Sequence, residues 1–223
     1  MNGGDIKILI SKSYLLVVLN EQKGVCDSKG FESLGFAGAL LMDLFLQGKI
    51  NITEKSIEII NSSSTEDEFL DQILEIIGKS EKKRSLMKWI DELSKKYEYY
   101  YLYFDLMEQQ GILKSEINQQ LKRKLYFLQK PEIKSQLLEE IQNVVNNNKE
   151  PSTNIISLLV LLEESQLIKV YLPRDLRKRV RNRIKEILYS EQLDSLSREM
   201  IFRIKKEIVN VIGARNMFMT DRI

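Results

Sequence analysis

The stretch SLGFAGALLMDLFLQGKINI, residues 33–52, constrains the fold more than any other part of the chain. Leu34, Ala37, Leu41, Leu44 and Phe45 recur at the helical period, and Leu40, Met42 and Leu46 widen the apolar face until it nearly surrounds the helix. A helix that is apolar on almost every side has to be covered on almost every side. The rest of the chain must therefore supply enough elements to enclose it. Gly48 is the expected residue just past the helix end, where a positive φ is cheap for glycine. "KINI" and "SIEII" then alternate around "TEK" and predict a short hairpin. Gly35 and Gly38 lie inside the helix about one turn apart. Close helix packing explains them better than phosphate binding does, because they lie within the helix and not in a loop ahead of it.

The other segments are predominantly helical too. Residues 6–19 read as a strand or a helix leading into the turn "NEQKG". In "SSSTEDEFLDQILEIIGK", Thr65 and Glu68 have capping-box spacing, acids fill the first turn, and Gly78 marks the end. A helix is predicted from Ser80 through "LMKWIDELSKK". A tyrosine-rich helix, "YEYYYLYFDLMEQQ", stops at Gly111 before "IL". It repeats the order of the opening element, and "LLEESQLIKVYL" is a looser third instance without the glycine. The pattern is too degenerate for a solenoid. "LKRKLYFLQKPEI" reads as a hairpin or loop, with Pro131 ahead of a helix over 132–146. "NNNKEPSTN" is polar enough for a loop. Helices over 153–166, 174–189 and 195–212 complete the chain, with a tail at 213–223 that is either flexible or docked. The expectation is a mainly α protein: one compact helical domain over 1–223 with short β-hairpins.

With 43% hydrophobic residues in 223, the chain can build a substantial core. It has no histidine and one cysteine, Cys26. That excludes His-based triads, His-ligated metal or haem and an intrachain disulfide, and it suits a reducing, cytoplasmic setting. No cofactor or metal site is expected. The longest apolar runs are too short for a membrane span, and Lys7 and Lys12 interrupt the N-terminal segment, which reads as mature protein. The net charge is only +2, but from Lys169 onward 14 Lys and Arg stand against 7 Asp and Glu. A basic C-terminal quarter hints at an anionic partner.

Few residues carry chemistry. Glu139/Glu140 and Glu163/Glu164 are adjacent pairs, whose side chains diverge by about 100° on a helix, so neither forms an acid–base dyad. No nucleophile–base pair can be named, so no enzyme is expected. The tyrosines Tyr97, Tyr99, Tyr100, Tyr101 and Tyr103 spread around their helix, some toward the core and some toward an interface. In "PRDLRKRVRNRIKEIL", Leu176, Val180, Ile184 and Ile187 form an apolar stripe, and seven cations cover the remainder. That is either an outer helix of a bundle or a helix for phosphates of lipid or nucleic acid. In "LKRKLYFLQK", the cations Lys122, Arg123, Lys124 and Lys130 bracket Leu125, Tyr126, Phe127 and Leu128. One reading is a membrane-dipping loop with cations on lipid phosphates; the other is a strand with one face in the core.

The order of these landmarks resembles the Golgi phosphoprotein 3 family from about Leu15 to Ile212. "GALLMDLFLQGKINI" is similar to the family's Leu-rich helix, basic-glycine-basic turn and apolar strand. "STEDEFLDQIL", "WIDELS" and "MEQQGIL" resemble its next three segments, in the same order. The resemblance implies a helical domain with a hydrophobic β-hairpin, acting as a peripheral membrane protein that recognises phosphatidylinositol 4-phosphate. It places the hairpin on "LKRKLYFLQK". It also places the headgroup pocket at Ser28, Ala37, Tyr97 and Tyr100, where the family has a tryptophan, an arginine and two basic residues. An alanine and two tyrosines supply far weaker donors to a phosphate. The expected partner is an anionic membrane lipid, with protein partners or a homo-oligomer also open. Nucleic acid on helix 174–189, or a ligand-free adaptor, are the alternatives.

Overall fold

The computed structural model describes residues 8–26, 31–148, 150–172 and 174–220. Among these residues, helices dominate and the strands form three separate two-stranded antiparallel hairpins. The ambiguous first segment is a helix, α1 (Ile10–Val18), followed by β1 (Leu19–Asn20) paired with β2 (Val25–Cys26).

The opening stretch forms α2 (Glu32–Leu46), and 13 of its 15 residues are buried. It is enclosed by α1, α4 (Leu86–Ser94), α7 (Thr153–Glu164) and α10 (Ser195–Thr220). The two internal glycines allow this approach. A Cβ on Gly35 would lie 2.1 Å from Tyr14 Oη, and one on Gly38 would lie 2.8 Å from Leu161 Cδ2. β3 (Ile50–Ile52) and β4 (Ile57–Ile59) form the expected hairpin, with Ile50 opposite Ile59.

Helix α2 ends on a left-handed closure. Gly48, at φ +64°, donates its N–H to Phe45 at 2.9 Å, and Lys49 donates to Leu44 at 2.9 Å. The tyrosine-rich helix α5 (Glu98–Gln109) ends the same way at Gly111, with bonds of 2.8 and 2.9 Å. So does α7, where Gln166 takes φ 64° in place of a glycine and leads into the short α8 (Ile168–Tyr171). Asn147 closes α6 (Pro131–Val145) in the same geometry.

Two expectations are corrected. Thr65 does not cap α3 (Glu68–Gly78): Glu66 turns at φ 63°, and Asp67 becomes the cap, accepting the Leu70 N–H at 3.1 Å. Thr65 Oγ1 lies 2.7 Å from Asp71 instead. The helix predicted from Ser80 begins only at Leu86, after the cap Ser85, and the charged run Glu81–Arg84 is loop. For the tail, which reads as either flexible or docked, α10 continues past Ile212, and Arg215 bonds Asp91 Oδ1 at 2.9 Å and Ser94 Oγ at 2.7 Å, while residues 221–223 lie outside the described residues. One buried apolar cluster extends from Ile10 to Ile212. α9 (Arg174–Tyr189) covers it beside α6 and α7.

Candidate functional site

The third hairpin stands on the outside of α5. β5 (Leu113–Asn118) pairs with β6 (Arg123–Leu128) from Leu113↔Leu128 at the base to Asn118↔Arg123 at the tip. On one face, the alternate residues Ser115, Lys124 and Tyr126 meet α5. Ser115 Oγ donates to Glu108 at 2.6 Å, Tyr126 Oη donates to Asp105 at 2.8 Å, and Lys124 Nζ reaches both Asp105 and Glu108 at 2.6 Å. These bonds hold the Lys124 ammonium above its usual range, chiefly through Asp105, and hold Glu108 below its own, chiefly through Lys124. The other side of β6 is pinned by Tyr126, whose N–H donates to the Gly24 carbonyl at 2.7 Å. Gly24 has room for no side chain, since a Cβ there would meet Leu125 at 2.8 Å.

This geometry relocates the apolar element. Leu125, Tyr126, Phe127 and Leu128 are the strand β6 and not the turn. Tyr126 is 1% exposed and packs on Phe104 at 5.1 Å, while Leu125, Phe127 and Leu128 are half-buried. The residues that project are Ile117, 73% exposed, and Leu121, 55% exposed. The tip turn between them is shaped by Asn118, whose Oδ1 accepts the Leu121 N–H at 2.8 Å. Both were missed in the sequence because each is a lone apolar residue among polar neighbours. The available signal was their spacing of four across "NQQ", the only turn-forming run between the two strands.

The four candidate cations divide. Lys122, at φ 48°, and Arg123 are exposed at the tip, and Lys130 is exposed at the start of α6. Lys124 is committed to its two carboxylates.

The described positions of the implied headgroup pocket, Ala37, Tyr97 and Tyr100, carry no cation. Ala37 is buried in α2. Tyr100 is buried against Phe36, ring centroids 5.0 Å apart, and its hydroxyl has no hydrogen-bond partner among the described residues. Burial holds that phenol well above its usual range. Tyr97 is 66% exposed at the start of α5. Ser28 lies outside the described residues.

The basic helix α9 commits three of its cations to partners within the protein. Arg177 donates to the carbonyls of Leu172 and Lys169, and Arg183 is buried with its Nε on the Val144 carbonyl at 3.1 Å. Arg181 pairs with Glu163, and Lys205 of α10 pairs with the adjacent Glu164. The divergent carboxylates thus tie α7 to a helix on either side. Arg174, Lys178 and Lys185 face solvent.

No helix among the described residues is long and apolar enough to cross a membrane. Among curated proteins, nothing matches the chain. A family model does: the one described as Golgi phosphoprotein 3 (GPP34) matches residues 10–204, from the first turn of α1 to the middle of α10 and through every element that carries the hairpin. With most of its length matched over this helical, hairpin-bearing fold, the chain belongs to the Golgi phosphoprotein 3 family.

Proposed function

We propose that the protein is a peripheral membrane protein that binds anionic lipid through the tip of the β5–β6 hairpin, in a binding and not a catalytic role. The observation that carries this reading is the pairing of Ile117 and Leu121, exposed at 73% and 55%, with the adjacent exposed cations Lys122 and Arg123. An apolar tip gains burial among acyl chains while neighbouring cations meet lipid phosphates. The clamp of Ser115, Lys124 and Tyr126 on α5 fixes the hairpin so that little ordering is left for the moment of binding. The half-buried Leu125 and Phe127 support the strand from behind.

Headgroup selectivity is expected to be weak. Ala37, Tyr97 and Tyr100 offer no cation for a phosphoinositide phosphate, so charge density at the tip sets the preference. Flotation with vesicles containing phosphatidylserine, or phosphatidylinositol 4-phosphate at equal charge, tests this. Comparable binding to both at low salt is expected, with loss in Ile117→Asp/Leu121→Asp. No binding of the wild-type protein to either vesicle, or full binding by that variant, overturns the reading.

A further inference from the structure

Helix α9 turns one face outward, away from the core it covers. At about 100° per residue, Arg174, Lys178, Asn182, Lys185 and Tyr189 fall within an arc of about 80°, opposite the buried Leu176, Val180, Ile184 and Ile187. All five are exposed. Among the described residues, no ion pair joins Arg174, Lys178 or Lys185, whereas Arg179, Arg181 and Arg183 of the same helix each have a carboxylate partner. Three unpaired cations thus stand in a row about 17 Å long, at about 1.5 Å of rise per residue. Tyr189, 79% exposed, ends the row. Its ring leans on Phe202 of α10, centroids 5.6 Å apart. Phe202 in turn borders a cavity of about 400 Å³ lined also by Ser195, Arg198, Glu199, Arg203 and Lys206. Arg203 is held there by Glu199 and the Ile52 carbonyl. Lys206 is exposed, and the Arg198 Nε–H is buried with no acceptor among the described residues.

We infer that this face binds single-stranded nucleic acid: the row on α9 meets phosphates of one strand, and Tyr189 with Phe202 offers rings for a base to stack on beside the α10 cavity. The site uses none of the residues of the lipid-binding tip proposed above and does not depend on that role. A strand repeats a negative charge at every nucleotide, so a straight row of cations engages several phosphates at once. Every base has a π-face that an exposed aromatic ring can stack, and stacking rings beside a cationic track are the combination that holds single strands without reading their sequence. A duplex would use the row but leave its bases paired and out of reach of the rings. A membrane is the poorer occupant, since among its described residues α9 exposes no large aliphatic side chain to enter the acyl layer.

Fluorescence anisotropy of the full chain with a labelled oligothymidylate of about 12 nucleotides tests this. With Arg174, Lys178, Lys185 and Lys206 each neutralising a phosphate, the logarithm of affinity falls against the logarithm of salt with a slope of about −3. Lys178→Ala/Lys185→Ala weakens binding at low salt and reduces the slope to about −1.4. Tyr189→Ser weakens binding about tenfold and leaves the slope unchanged, while Tyr189→Phe keeps the ring and stays near wild type. Lys82→Ala/Lys96→Ala, the same loss of charge at exposed positions elsewhere, binds as wild type. No binding of the wild-type protein at low salt overturns the inference, and so does equal binding by the two lysine double variants. If a duplex of the same length binds as tightly as the strand and Tyr189→Ser changes nothing, the face is an unselective anion surface and the inference is overturned. If Lys178→Ala/Lys185→Ala holds the strand as wild type does but loses vesicles containing phosphatidylserine, α9 is a membrane contact and the inference is likewise overturned.

Discussion

The carboxylate of Asp43 accepts the backbone N–H of Ser11 at 2.8 Å, across 32 residues of chain. Its other oxygen accepts the N–H of Ile10 at the same distance. An acid in the last turn of α2 thus does for α1 what a local N-cap residue would do: the residue before α1, Leu9, has no side chain able to cap it. Ser11 extends the arrangement, its Oγ lying 3.2 Å from Tyr103 Oη, which in turn donates to Asp67 at 3.3 Å. Four elements, α1, α2, α3 and α5, meet on this one polar thread inside an apolar core.

Removing the acid leaves two buried N–H groups without acceptors. Asp43→Ala is expected to lower stability by about 2–4 kcal/mol. Urea titration measures it, and a loss below about 1 kcal/mol would show that water takes over the acceptor role.

The same group gives stability a dependence on pH. Burial, the largest influence, pushes the Asp43 carboxyl up to about 6 from a usual 3.8, against the lowering effect of its hydrogen bonds. The folded pKa is raised, so folding takes up a proton between these values. The contribution to stability is fully present below about 4 and is lost as pH rises through 6. Asp71, Asp91 and Asp194 are shifted the other way, so theirs is lost as pH falls through the acid range. The difference in unfolding free energy between wild type and Asp43→Asn should therefore shift toward wild type from pH 7 to pH 5. A difference that stays flat over that interval contradicts the assignment.

The two glycine classes should separate cleanly. Gly35→Ala places a Cβ within 2.1 Å of Tyr14 Oη, whose hydroxyl is fixed by the Glu32 carbonyl and Ser165, so neither partner can move away freely. A loss of about 3 kcal/mol is expected. Gly48→Ala meets no atom within 4 Å and suffers only from its φ of +64°, for a loss of about 1 kcal/mol. Thermal melts of the two variants decide whether crowding outweighs backbone strain.

Lys124→Met should loosen the hairpin without unfolding the protein. The ammonium and its two carboxylates are partly solvated, so the direct loss is expected to be about 1 kcal/mol. Amide exchange should quicken in residues 113–128 and not in α2. Unchanged exchange in the hairpin would mean that Ser115 and Tyr126 hold it without Lys124.

Much of the architecture was readable in the residues. The buried α2, its glycine closure and the β3–β4 hairpin follow from periodicity and one turn residue. Interactions reaching across the chain were not readable. Nothing near Asp43 in sequence says that it caps α1, because its partners lie more than 30 residues away. The cap of α3 was misplaced for a local reason: Glu66 takes a left-handed turn that no sequence rule assigns to glutamate. At the candidate site, four consecutive apolar residues gave the stronger signal but form the strand, since the turn at Gly24 and helix α5 both contact them. The exposed pair Ile117 and Leu121 gave almost no signal, because exposure is decided by what fails to pack against a residue.

The left-handed joints that end α2, α5, α6 and α7 are closed by main-chain groups, and only two of the four use glycine. Each joint aims the element that follows it without consulting side chains, at a cost of about 1 kcal/mol where a larger residue fills it. A chain built on such joints can drift far in its letters and still turn its corners. Surface residues can then change one at a time without disturbing the corners.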